Sequence, residues 1–219
     1  MTEATSGYGP LDFSRDTGVP RETLSRLSTY VDLLVEWNER LNLVAPSTIP
    51  DVWRRHLLDS AQLAPLIPAE TKAIFDLGSG AGFPGLVLAL MLADRPGLKV
   101  HLVESTQKKC RFLEAVIAAT GAPAEVHAVR AEDLNGLKAD VVTARAVAPL
   151  DRLFPLVQPF FGPDTIALFL KGRSLNDELT LATKSWRLAA TPIPSRSDPS
   201  GFVLRVTGLT PWRRSPKPS

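Results

Sequence analysis

The stretch AIFDLGSGAGFPG, residues 73–85, constrains the fold more than any other, because an apolar run passes through four glycines into the helix-forming LVLALMLA. A turn of this kind between a strand and a helix lets the backbone approach a ligand closely and leaves amide donors at the helix start. Such loops hold the pyrophosphate of a dinucleotide, the phosphates of a P-loop nucleotide, or the methionine end of S-adenosylmethionine.

Spacing separates these. A P-loop needs a lysine directly after its last glycine, and Leu86 follows Gly85. Gly80, Gly82 and Gly85 do satisfy G-x-G-x-x-G, and Glu104 stands at the end of the next apolar run, where an acid takes ribose hydroxyls. Asp76, two residues before Gly78, favours a different ligand. Its carboxylate would repel a pyrophosphate, whereas S-adenosylmethionine brings an ammonium and a sulfonium, and its own carboxylate can use the amides that start the helix. A nicotinamide or flavin nucleotide, and a plain tight turn, remain readings of the same residues.

After Pro68 short apolar runs alternate with helical segments: AIFDL, KVHLVE, AEVHAVR, ADVVTAR and TIALFLK, with helices expected after the glycine loop, over 106–120, after ADVVTAR and over 174–190. This alternation predicts an α/β fold with a mostly parallel, Rossmann-like sheet. GFVLRVTGL has no helix after it and reads as a strand near the sheet's end, antiparallel, with a loop in TPIPSRSDPSG before it. Upstream, apolar residues at 24, 27, 31, 34 and 41 predict an amphipathic helix over 21–44, and a second helix is expected over 51–64, between Pro50 and Pro65. The expected organisation is a disordered N-terminus (1–19), a helical appendage (20–68), a catalytic domain (69–210) and a basic tail (211–219).

The N-terminus has no basic-then-apolar signal pattern, and the longest apolar run, 86–93, falls short of the ~20 residues a membrane span needs. A cytoplasmic protein without a membrane partner is expected. Cys110 is the single cysteine and no His/Cys/Asp spacing matches a zinc site, so neither an internal disulfide nor a metal is expected. The net charge of +2 provides no whole-molecule field for nucleic acid. Basic residues gather locally, however, at Arg54 and Arg55, Lys108 and Lys109, Lys171 and Arg173, and Arg213 and Arg214.

Two further places point to chemistry. Ala131 and Glu132 open AEDLNG after the third apolar run, where this topology carries a loop around an adenine ring; a solvated acidic turn is the alternative. Arg145 ends the fourth run, at the carboxyl edge where open α/β sheets bind ligands. His56 and Asp59, three apart, would share one helical face and orient each other or join the appendage to the core. Trp37, Asn38, Asn42 and Cys110 read as packing and internal bonding.

Together NLV (42–44), RRHLLDS (54–60), FDLGSGAGFPG (75–85), ESTQKKCRFL (104–113), RAE (130–132), TARAVAPL (143–150) and LKG (170–172) resemble, in order, the RsmG (GidB) family of 16S rRNA 7-methylguanosine methyltransferases. The resemblance runs from about residue 20 to about residue 210. It implies a class I methyltransferase fold, S-adenosyl-L-methionine as donor, and as acceptor a guanine N7 in the 530 loop of 16S ribosomal RNA, within the small subunit or an assembly intermediate. It also implies cofactor contacts at Gly78, Phe83, Ala131, Glu132 and Arg145, which join Asp76, Gly80, Gly82 and Glu104 from the loop argument. Val44, Glu104 and Val87-Leu88 stand where the family commonly has Thr, Asp and Ile-Pro. RNA contacts are expected from the basic groups above, and no acid–base residue is expected, Arg145 acting by positioning. A monomer is expected. The alternatives are a nucleotide-dependent oxidoreductase and an inert RNA-binding module of methyltransferase-like fold.

Overall fold

A computed structural model describes residues 7–134 and 136–212. Among them seven strands form one sheet in the order β3-β2-β1-β4-β5-β7-β6. Strands β1 (Ala73–Leu77), β2 (Lys99–Val103), β3 (Ala124–His127), β4 (Val141–Arg145) and β5 (Ile166–Lys171) run parallel, and β6 (Trp186–Pro194) and β7 (Phe202–Pro211) are antiparallel. The order reverses between β1 and β4, which makes their carboxyl ends the place where a fold of this kind binds its ligand.

Helix α1 spans Pro10–Thr17 and α2 spans Arg21–Leu41; they precede the sheet together with α3 (Asp59–Ala61). Helices α4 (Gly85–Met91), α5 (Gln107–Thr120), α6 (Leu150–Val157) and α7 (Leu175–Ala182) connect its strands. Alternation along β1 decides which side chain meets which layer: Ile74 joins the core under α4, α5 and α2, while Phe75 and Leu77 join the opposite core with α6 and β7. Helix α5 follows its local signals. Thr106 stands at its N-cap and Gly121, at φ 65, closes it by donating its N–H to the Ile117 carbonyl at 2.9 Å.

Several expectations are corrected. Residues 10–17 are helical where disorder was expected, because Phe13 is fully buried with its ring 5.4 Å from Trp53. Helix α2 stops at Leu41, where Asn42 adopts the left-handed conformation and the buried Asn38 carboxamide accepts the Val44 N–H at 2.8 Å. The expected second helix is a relay instead, a 3-10 turn (Pro46–Asp51), a π-helical turn (Trp53–Leu58) and α3. Strand β3 ends at His127, three residues before the end of AEVHAVR. The helix expected over 174–190 ends at Ala182, and Trp186–Pro194 pairs with β7 as the edge strand, so part of the expected loop is also sheet. Strand β7 is antiparallel and near the sheet's end as read, one place in from the edge strand β6. Of the expected basic tail, Pro211 ends β7, and Arg213 and Arg214 lie outside the described residues.

The appendage is not a separate body. Tyr30 of α2 is fully buried, donates its hydroxyl proton to the Ala81 carbonyl in the glycine loop, and lies 5.3 Å from the Phe83 ring. Trp37 packs on Phe112 of α5, ring centroids 5.7 Å apart. Among the described residues no helix is long and apolar enough to cross a membrane.

Candidate active site

Two recesses open at the carboxyl edge of the sheet. The smaller lies over the ends of β1 and β2 and is walled by Gly78, Glu104, Ala131, Glu132 and Val147, with Arg130 beside them. Gly78 sits at φ 66, and a Cβ there would come within 2.7 Å of the Val147 side chain. Only glycine holds this turn without strain or overlap. Glu104 is buried and bridges two amides: Gly80 N–H donates to its Oε2 at 3.0 Å and Thr106 N–H to its Oε1 at 2.7 Å. Its carboxylate therefore ties the glycine loop to the start of α5 while facing the crevice, with lone pairs left for hydroxyl donors. Ala131 and Glu132 form a 3-10 turn, Glu132 exposed, on the opposite wall.

Asp76 is used differently from the sequence expectation. Strand alternation turns it toward α4, where it is fully buried, accepts the Thr143 hydroxyl at 2.8 Å, and accepts the Gly85 N–H at the helix start at 3.2 Å. Burial pushes its carboxyl up to about 6, against the hydrogen bonds that favour the charged form. It does not line the crevice; it supports the loop from beneath. Gly82 and Phe83 are also inside the loop's packing, and a Cβ on Gly82 would meet Leu86 at 2.5 Å and the Tyr30 hydroxyl at 2.9 Å.

The larger recess, about 490 Å³, lies between the ends of β4 and β5 and is walled by Arg145, Val147, Lys171, Glu178, Asp59 and Asp198. Val147 is common to both recesses. Arg145 is held here and not against the glycine crevice. Its Nη1 donates to His56 Nδ1 at 2.9 Å and lies 3.6 Å from Asp59 Oδ2, and its guanidinium sits 4.8 Å from the centroid of the Phe83 ring. His56 stacks on the other part of this cluster, 5.0 Å from Phe83 at 18°. Since His56 Nδ1 accepts from arginine, its proton is on Nε2, which donates to Thr48 Oγ1 at 2.8 Å; Thr48 in turn donates to the Ala45 carbonyl. Burial and the adjacent Arg145 and Arg55 hold the imidazole neutral, down to about 3. Asp59 accepts Ser197 Oγ at 2.6 Å and Gln62 Nε2 at 3.0 Å, and burial raises its carboxyl while Ser197 and Arg145 oppose the rise. His56 and Asp59 thus meet through Arg145, which no local spacing could show.

The basic residues divide. Lys171 is nearly enclosed, 10% exposed, and its Nζ donates to Glu178 Oε2 at 2.7 Å and to the Ala148 carbonyl at 2.8 Å. It is committed to the protein, which corrects its reading as a phosphate contact. Arg54 is exposed and packs over the Tyr8 ring at 4.7 Å, while Arg55, Lys108 and Arg173 are exposed and Lys109 is half-buried at the first turn of α5. Sequence reasoning missed Val147, Glu178 and the Ser197–Asp198 loop as parts of the site. The run TARAVAPL contained Val147, but nothing local marked it as a partition. The sequence showed no zinc spacing, yet β2 and β3 bring His101, Glu125 and His127 together, with ligand atoms all within 4.8 Å of one another.

Comparison with known proteins identifies the family and the fold. The family model for rRNA small subunit methyltransferase G matches residues 23–195. The chain is 57% identical over 216 residues to the ribosomal RNA small subunit methyltransferase G of Parvibaculum lavamentivorans, covering 95% of this chain and 96% of that protein. It is 50% identical over 208 residues to the corresponding protein of Paramagnetospirillum magneticum, covering 95% and 100%. Among solved structures, a SAM-dependent methyltransferase from Aquifex aeolicus superposes with a TM-score of 0.56 at 14% identity, over 75% of this chain and 95% of that one. A TehB-like SAM-dependent methyltransferase from Corynebacterium glutamicum does so with a TM-score of 0.51 at 15% identity, over 68% and 86%. The fold is the class I, Rossmann-like methyltransferase fold, and the chain belongs to the rRNA small subunit methyltransferase G family.

Proposed function

We propose that the protein transfers a methyl group from S-adenosyl-L-methionine to N7 of a guanine in the 530 loop of 16S ribosomal RNA, acting as a cytoplasmic monomer on the small subunit or an assembly intermediate. The observation that carries this reading is the shared wall: Val147 separates the Glu104 crevice from the Arg145 cavity, so a donor in one and an acceptor in the other would face each other across a single side chain. The crevice suits the cofactor. Gly78 lets bare backbone turn along the crevice against Val147, where a Cβ would overlap, and Glu104 presents a fixed carboxylate to ribose hydroxyls. Asp76 acts by holding the loop and the first turn of α4 in place.

S-adenosylmethionine, when bound, supplies an electrophilic methyl group on a sulfonium. Guanine N7 presents an in-plane lone pair and no proton, so attack requires no general base, and the protein's contribution is alignment and exclusion of water. Arg145 is pre-positioned for this by Phe83, His56 and Asp59, and it can hydrogen-bond an acceptor group of the nucleotide or its phosphate. Methylation leaves the purine cationic. Asp59, Glu178 and Asp198 on the cavity wall offset that charge and the charge of Arg145. Exposed Arg54, Arg55, Lys108 and Arg173, with the half-buried Lys109 beside Lys108, would take RNA phosphates, which carry most of the affinity and its salt dependence.

The test is transfer of label from methyl-tritiated S-adenosylmethionine to unmethylated small subunits, followed by borohydride and aniline cleavage, which cuts RNA at 7-methylguanosine. Label incorporated without a cut in the 530 loop overturns the assigned position. RNA binding without transfer would indicate an inert module.

A further inference from the structure

Away from both recesses, His101, Glu125 and His127 converge on one face of the β2–β3 pair. Parallel pairing places His101 opposite Glu125 and Val103 opposite His127, so residues 101, 125 and 127 share a face. His101 Nδ1, Glu125 Oε1 and His127 Nε2 make a nearly equilateral triangle with sides of 3.1, 3.0 and 3.0 Å. Shared protons satisfy such a triangle poorly: if both imidazoles donate to Glu125 Oε1 their N–H groups crowd each other at 3.0 Å, and if one imidazole donates to the other, the accepting nitrogen turns no proton toward the carboxylate. A metal ion satisfies all three at once. With bonds of about 2.0–2.2 Å, ligand atoms at right angles lie about 2.8–3.1 Å apart and those at tetrahedral angles about 3.3–3.6 Å. The triangle has the first of these spacings, three ligands on one face of the ion with its other positions open to water.

The surroundings agree. His101 is fixed by stacking on Phe75, ring centroids 4.2 Å apart at 12°. Glu125 is 44% exposed, which leaves the outer side of the triangle open to solvent, and its Oε2 lies 3.6 Å from Lys99 Nζ. Burial keeps the His101 imidazole below its ordinary range, which favours the neutral form that ligates metals.

We propose that His101, Glu125 and His127 form a site for one divalent first-row transition-metal ion, with two imidazoles and one carboxylate as ligands. Its role is to clamp the short edge strand β3 to β2. The clamp bears on the crevice, because the Glu104 N–H donates to the His127 carbonyl at 3.1 Å. Binding needs both ring nitrogens of the triangle free of protons, so any proton held there is released. Imidazole and carboxylate donors suit zinc, cobalt or nickel, and affinity among them follows the usual order of divalent ions.

The experiment uses the untagged full chain, stripped with a chelator and titrated calorimetrically with zinc chloride, then with cobalt chloride while visible absorption is recorded. One ion should bind per chain, raise the Tm, and give cobalt absorption typical of nitrogen and oxygen ligands. Glu125→Gln, at an exposed position, should weaken binding at least tenfold, and the double change His101→Gln with His127→Gln should abolish both binding and the Tm shift, with circular dichroism confirming that each variant is folded. No stoichiometric binding by the unaltered chain overturns the proposal and leaves a proton-sharing polar cluster. Binding that survives in both variants overturns it too, by placing the ion elsewhere, for instance at His56.

Discussion

Arg145 and His56, 89 residues apart in the chain, meet at 2.9 Å, and the same guanidinium covers the Phe83 ring of the glycine loop. One side chain therefore joins the end of β4, the relay of turns before the sheet, and the loop at the end of β1. This makes Arg145 a connection between the two recesses as well as a wall of one.

Arg145→Ala should lower methyl transfer to small subunits at least tenfold, about 1.4 kcal/mol or more of transition-state stabilisation. Arg145→Lys should not restore it, because an ammonium cannot reach His56 and Asp59 together while stacking on Phe83. Rates at limiting cofactor and at limiting subunit, with circular dichroism as a folding control, decide the matter. Unchanged transfer by a folded Arg145→Ala protein would remove the arginine from the mechanism.

Gly78→Val should abolish binding of S-adenosylmethionine while leaving the domain folded. The strained φ costs about 1–3 kcal/mol, and the new side chain overlaps Val147, so it or Val147 takes up space at the crevice wall. Calorimetric titration with the cofactor or its demethylated product checks this, and near-normal affinity would move the cofactor off this loop.

His56 and Asp76 bias stability in opposite directions between about pH 4 and pH 6. The folded state holds His56 down to about 3, so the unfolded chain takes up its proton first as pH falls; this contribution is full above the ordinary histidine value and is lost toward about 3. Asp76, raised to about 6, contributes stability that is full below the ordinary aspartate value and is lost as pH rises through about 6. In urea denaturation from pH 4 to 6, the stability deficit of His56→Gln relative to the unaltered protein should grow by about 1.4 kcal/mol per pH unit. Parallel curves would mean that His56 is not held neutral.

Lys171 and Arg55 should behave as opposites. Lys171→Met leaves the enclosed Glu178 carboxylate without its cation, with only the Ser174 hydroxyl and the Leu150 N–H still donating to it, and should cost roughly 2–4 kcal/mol of stability, with the salt dependence of RNA binding unchanged. Arg55→Ala should leave stability nearly unchanged and reduce the slope of log affinity against log salt by about 0.7–0.9, the share of a single neutralised phosphate. Thermal melts and binding at several salt concentrations separate the two, and a lowered slope for Lys171→Met would return it to the RNA surface.

Near neighbours in the chain determined much of this protein. The alternation of apolar runs with helical segments, the turn at Gly78, the closure of α5 at Gly121 and the positions of Glu104 and Arg145 at strand ends are all consequences of local sterics, hydrogen bonding and periodicity, and they could be read from residues a few positions apart. What required the tertiary structure were pairings across long separations. Residues 186–190 are strand because β7 is there to pair with them, overriding the helical reading of the segment. Asp76 serves the loop from below because the pleat of β1 turns it toward α4, although its place beside the glycines suggested a ligand. Arg145 meets His56 and Asp59, and His101 meets Glu125 and His127, only because the chain closes and the strands adopt one register. A one-residue slip of β3 would turn Glu125 and His127 to the other face, which is why such a cluster leaves no trace in linear spacing.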